Sequence, residues 1–167
     1  MSSQHSVAQH TVAQHTVAQH RVAQHRVAVL VAERDGNWSD WVEPLRAEAD
    51  DIAIILQRMD ESSSDLALRV RERVREVAGS GTLCAAALVG GDRWDPDTLG
   101  ARSSIIRALV AHMTPEAQGQ LFLDAGSKAG RGRHAMHALA SALSDIVDES
   151  VSIVTTRGAV PARRRAA

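Results

Sequence analysis

The 167-residue sequence has no tyrosine, one phenylalanine, three tryptophans and one cysteine. So few aromatic rings leave none of the stacking platforms on which RNA and single-stranded DNA are bound. A lone Cys84 excludes an internal disulfide, and nothing in cysteine usage calls for an oxidising compartment. No apolar run approaches the roughly 20 residues of a membrane span. The polar N-terminus lacks the apolar core of a secretory signal. The expectation is a cytoplasmic protein without membrane association. Charge is also scarce in net terms, at −1. Five of the 19 basic residues (Arg21, Arg26, Arg163, Arg164 and Arg165) lie outside 27–160, which leaves 14 against 20 acidic residues and a body at −6. An acidic body makes nucleic acid an unfavoured partner.

What is present begins with a repeat. From Gln4 the chain reads QH-SVAQH-TVAQH-TVAQH-RVAQH-R, a unit of five residues. Five helical steps turn through about 500°, so successive valines fall about 140° apart and never form one stripe. On a strand an odd period sends them to opposite faces. Residues 1–25 are therefore expected to be a disordered tail. His5, His10, His15, His20 and His25 lack the i,i+4 spacing of helical metal-ligand pairs, and no metal site is assigned.

Residues 26–158 then alternate between apolar runs and amphipathic stretches, and 159–167 form a basic C-terminal tail. Val27–Glu33 is the continuous apolar run of a strand buried on both faces. A short helix follows, with Ser39 as its cap and Pro44 limiting it. Strands are expected at Asp51–Gln57, Thr82–Val89, Gln120–Asp124 and Ser150–Thr155. Between them the sequence predicts helices over Asp65–Ala78, stopped by Gly79, and from Asp95-Pro96 to about Met113. A further helix is predicted over about Arg133–Val147. In the third helix Leu99, Ile106, Leu109, Val110 and Met113 form the expected buried face. This rhythm implies an α/β three-layer sandwich, Rossmann-like, around a five-stranded, mostly parallel open sheet.

In such sheets ligands bind beyond the carboxyl ends of the strands, where strand order reverses. Those ends carry Glu33 and Asp35, Arg58 and Asp60, Gly90 to Arg93, Asp124 and its sequel, and Thr156 and Arg157. The richest is the fourth, where Gly126, Ser127, Lys128, Gly130, Arg131, Gly132 and Arg133 precede a helix. Glycines expose backbone N–H groups there, the helix start adds a positive dipole end, and three basic side chains add charge. The expected ligand is a phosphate. Neither a Walker A pattern nor G-x-G-x-x-G is present, and no G-x-S-x-G elbow marks a catalytic serine. No catalytic residue is assigned. His134 and His137 read as helix-surface residues, Asp95 as a cap, and Cys84 as a small hydrophobe. Trp38, Trp41 and Trp94 all lie just past strand ends, placed to pack a loop or to stack on a base.

The segment Gly126–His134 (GSKAGRGRH) resembles the nucleotide-phosphate loop of universal stress proteins, whose motif is G-x2-G-x9-G-[ST]. Ser127, Gly130, Ala140 and Ser141 keep its spacing, with Ser127 and Ala140 replacing glycines. The first strand and its sequel, VLVAERDGN, are similar to that family's start. The resemblance implies the same five-stranded alternation, ATP or a related nucleotide as ligand, Ser141 at the phosphates and Asp35 near the base. Ala140 sets a methyl group where the family brings backbone close to phosphate. Two functions follow as expectations. One is a small regulatory or stress-related module binding a nucleotide or another phosphate ligand. The other is a scaffold domain, not an enzyme, that forms a homodimer by pairing its last strand edge to edge.

Overall fold

The computed structural model describes residues 25–91, 93, 95–124, 137–141, 143 and 151–156. Five strands run in the order β2-β1-β3-β4-β5: β1 is Arg26–Ala32, β2 Asp51–Leu56, β3 Thr82–Val89, β4 Gln120–Asp124 and β5 Ser152–Thr156. All four neighbouring pairs are parallel. The chain steps outward once, from β1 to β2, and then returns past β1 to build the other side. Right-handed crossovers therefore put the first helix on one face and the next two on the other. The result is the three-layer α/β arrangement that the alternation of runs predicts.

The two faces are covered unequally. On one face β1, β3 and β4 present Val27, Val29, Val31, Ala86, Leu88, Leu121 and Leu123 to helices α2 (Ser63–Ser80) and α3 (Pro96–Ala111). Both helices run for four turns or more and bury Leu66, Val70, Val74, Ile105, Ile106 and Leu109 there. On the other face Ala28, Leu30, Ala87, Val89 and Phe122 meet the seven-residue α1 (Val42–Glu48), which contributes Leu45. The 3-10 turn Ser39–Trp41 before α1 adds a buried Trp41. At β2 this face is left open, with Ile54 42% and Leu56 37% exposed.

Helix starts follow the sequence closely. The Ser62 hydroxyl accepts the backbone N–H of Asp65 at 3.1 Å and caps α2. Asp95 accepts the N–H of Thr98 at 2.8 Å and caps α3, with Pro96 in its first turn. Three local expectations change. Ser39 makes no capping bond, because it opens a 3-10 turn whose preceding residue, Trp38, is helical in conformation. Pro44 sits in the first turn of α1, where its missing N–H costs nothing, so it does not limit the helix. Gly79 does not stop α2, which runs to Ser80. Gly81 is the residue that must be glycine, since a Cβ there would lie 2.7 Å from the His25 carbonyl oxygen.

The buried face of the third helix includes Ile106, Leu109 and Met113 as predicted, but it is broader and shifted at its start. Leu99 and Val110 are half-buried, while Thr98, Ala101 and Arg102 are buried. Between Val27 and Ala28 the register with β3 slips by one residue, so Cys84 is the extra residue of a bulge. It is buried as expected of a small hydrophobe, and burial pushes its thiol pKa up.

Candidate functional site

The order 2-1-3-4-5 reverses between β1 and β3, so the crevice rule points to the loops that leave these two strands. Glu33 follows β1 directly and is buried. Its carboxylate forms a forked ion pair with the fully buried Arg102 of α3 and accepts the backbone N–H of Gly91 at 3.0 Å. The same guanidinium donates to the carbonyl of Arg93 at 3.0 Å. A buried, forked pair of this kind fixes the relative positions of β1, the β3 exit and α3. Gly91 is pressed against the loop after β1, where a Cβ would collide with the Arg34 carbonyl oxygen. Gly91 thus serves close backbone packing, and the Glu33–Arg102 pair plugs the base of the crevice.

Beside this plug lies an open polar cavity of about 180 Å³. It is lined by Arg34 and Asp35 after β1, Gln57 and Ser62 between β2 and α2, and Arg93 and Thr98 at the start of α3. Both long helices begin at its wall, so two positive dipole ends face it. Two of its carboxylates are already neutralised: Glu33 by Arg102, and Glu61 by Arg69 at 2.6 Å. The Arg69 hydrogen bonds hold the Glu61 carboxyl below the usual range. The N–H and hydroxyl of Thr98 do the same for Asp95. Asp35 closes a turn in which Gly36 N–H donates to the Glu33 carbonyl at 3.0 Å, and its φ of 65° is a conformation that aspartate tolerates better than most residues. Arg34 is anchored by donating to the carbonyls of Arg58 and Met59.

Of the residues expected to bind ligand, the structure puts Asp35 on this cavity. Ser141 lies in the helical residues 137–141, exposed, and is not among the lining residues. Gly126, Ser127, Lys128, Gly130, Arg131, Gly132 and Arg133 lie outside the described residues, as do Trp94 and His134. Ala140, which occupies a motif glycine position, is partly buried and packs against the core on the side of α2 and α3. Asp124, a strand-end candidate, is buried and accepts the indole N–H of Trp41 at 2.9 Å, while that ring lies 5.4 Å from the Phe122 ring. Trp41 therefore packs a loop onto the sheet.

Arg102 and the α2 N-terminus went unread as contributors to this rim. The signal for Arg102 was its position: residues 102, 105, 106 and 109 share one face of α3, so an arginine there needed a buried partner. No group of three or more metal-ligating side chains is found among the described residues. None of the described helices is long and apolar enough to cross a membrane. No protein-family model, curated protein or solved structure matches the chain.

Proposed function

We propose that this domain is a small regulatory module that holds a phosphate-bearing ligand at the carboxyl rim of its sheet. The observation that carries the reading is the polar cavity on which the N-termini of α2 and α3, Arg34 and Arg93 converge beside the β1/β3 reversal. Its volume suits a phosphoryl group, well under the roughly 300–1,000 Å³ that encloses a whole drug-sized ligand. A nucleotide, which the likeness to universal stress proteins implies, would draw in addition on the glycine-rich segment 126–133, which lies outside the described residues. Asp35 is then the rim residue available to a base or ribose.

Thermal unfolding with ATP, ADP, a cyclic nucleotide and inorganic phosphate tests the reading. A ligand at 100 times its Kd adds about 2.7 kcal/mol to stability. Arg93→Gln and Gly130→Val are each expected to abolish the shift given by inorganic phosphate. An unaltered melting temperature at millimolar concentrations of all four compounds would overturn the proposal.

A second reading, a homodimer formed through β5, is favoured by one observation: β5 stands at the end of the strand order with β4 as its one neighbour in the described sheet. Proline at Ile153 removes a donor from that edge and is expected to halve the particle mass in light scattering. A mass that stays dimeric in that variant rejects edge pairing.

A further inference from the structure

A second basic region lies away from the strand ends, on the outer surface of the helical layer. The exposed sides of α2 and α3 enclose a groove of about 530 Å³. Its α2 wall carries Arg71 and Arg75; its α3 wall carries Ser103, Ser104 and Arg107, with His112 just past the helix end. The groove exists because α3 presents small residues there. Gly100 has no heavy atom within 4 Å of where a Cβ would stand, so packing does not demand its smallness. From residue 100 to residue 112 the floor extends about 18 Å at 1.5 Å per residue.

The three arginines are unlike the others of the helical layer. Arg69 pairs with Glu61, Arg73 with Glu76 at 2.7 Å, and Arg102 with Glu33. Arg71, Arg75 and Arg107 make no ion pair or hydrogen bond with the described residues. Arg71 and Arg75 stand one turn apart, an i,i+4 like-charge pair that costs a helix a few tenths of a kcal/mol. The helix dipole does not account for them, since neither α2 nor α3 has a basic residue in its last turn. No carboxylate is among the described residues that line the groove, in a domain whose body is acidic overall. Three guanidinium forks, two hydroxyls and an imidazole form a donor-rich lining with length.

We infer that this groove is a binding site for an extended small anion carrying several phosphoryl groups in a row, such as a polyphosphate chain free or attached to a nucleoside. Guanidinium groups match phosphate oxygens in pairs. Arg71 and Arg75 on one wall and Arg107 on the other bracket successive phosphoryl groups, with Ser103 and Ser104 donating between them. The site is separate from the rim cavity, with which it shares no described lining residue.

Calorimetric titration of the full chain with inorganic tripolyphosphate tests the inference, with ATP as a parallel arm. Each of Arg71→Gln, Arg75→Gln and Arg107→Gln is expected to raise the tripolyphosphate Kd at least about tenfold, the loss of one charge-assisted contact. Arg93→Gln, at the rim, is expected to leave it unchanged. The triple lysine variant keeps the charge but loses the forks, and it too is expected to weaken binding. Ser104→Trp fills the groove without altering charge and is expected to abolish binding in a protein with an unchanged melting temperature. ATP binding that survives Arg93→Gln and fails with Arg107→Gln would attach the nucleoside form to the groove; the reverse pattern would leave free polyphosphate as its ligand. Failure of tripolyphosphate to bind at low salt would overturn the inference. So would binding that the triple glutamine variant retains, or a glutamate oligopeptide of equal charge that binds as tightly.

Discussion

Arg102 and Arg107 lie five residues apart on the same helix in opposite circumstances. Arg102 is fully buried, forked onto Glu33 and tied to a backbone carbonyl of the β3 exit. Arg107 is exposed, one turn after Ser103 and Ser104, and paired with no described carboxylate. The first charge is spent inside the molecule, where losing its partner would leave an ion in low dielectric. The second is left facing outward, where water solvates it and an incoming anion can displace that water. The comparison separates an internal ion pair that holds the fold from exposed arginines that pair with no described carboxylate.

The sharpest way to break the comparison is to remove the internal partner. Glu33→Gln leaves Arg102 buried without a counter-charge and is expected to cost about 3–5 kcal/mol in urea denaturation. Glu33→Gln combined with Arg102→Met restores much of that stability, because no charge is then stranded. If Glu33→Gln costs no more than an exposed substitution, Arg102 is not the fixed point assigned to it. Next in size is Trp41→Phe, which keeps the ring against Phe122 but leaves Asp124 without the indole donor. That loss is expected to cost about 1–3 kcal/mol, and an unchanged denaturation midpoint would show that Asp124 is satisfied without it.

Much of the fold was legible because it is local. Continuous apolar runs such as Val27–Ala32 and Leu83–Val89 mark buried parallel strands, and Asp95 is a cap whose hydrogen bond spans three residues. What could not be read is pairing at a distance. Arg102 finds Glu33 69 residues earlier in the chain, and Trp41 finds Asp124 83 residues later. The Cys84 bulge depends on how β1 and β3 register. Glycines misled for the same reason: Gly91 and Gly81 are set by backbones that approach from elsewhere, whereas Gly79 is an ordinary helical residue. Asp35 lies on the cavity because it follows a strand whose end the apolar run marks.

A smaller effect sharpens the contrast through pH. Arg69 holds the Glu61 carboxyl low, so the folded state binds that proton less readily than the unfolded chain. The sign follows from linkage: stability from this pair is fully present above the unfolded value of about 4.3 and is lost as pH falls through the depressed folded value. Glu61→Gln is expected to flatten that acid limb and to cost under about 1 kcal/mol at neutral pH, since the pair is only partly buried. An acid limb that keeps its slope in the variant would assign it to other carboxylates.

The smallest expected effect is the most telling for the groove. Arg107→Gln removes a charge that no described residue neutralises, so stability is expected to change by less than about 0.5 kcal/mol. Arg71→Gln relieves the like-charge contact with Arg75 and is expected to stabilise slightly, by a few tenths of a kcal/mol. Both changes shrink as salt screens the exposed charges. Urea midpoints at about 0.02 and 0.5 M sodium chloride read the difference directly. A destabilisation of 1 kcal/mol or more from either substitution would mean that these arginines serve the fold after all, and the distinction between Arg102 and Arg107 would collapse. Near-neutral stability, combined with weakened tripolyphosphate binding, is what a side chain retained for recognition should show.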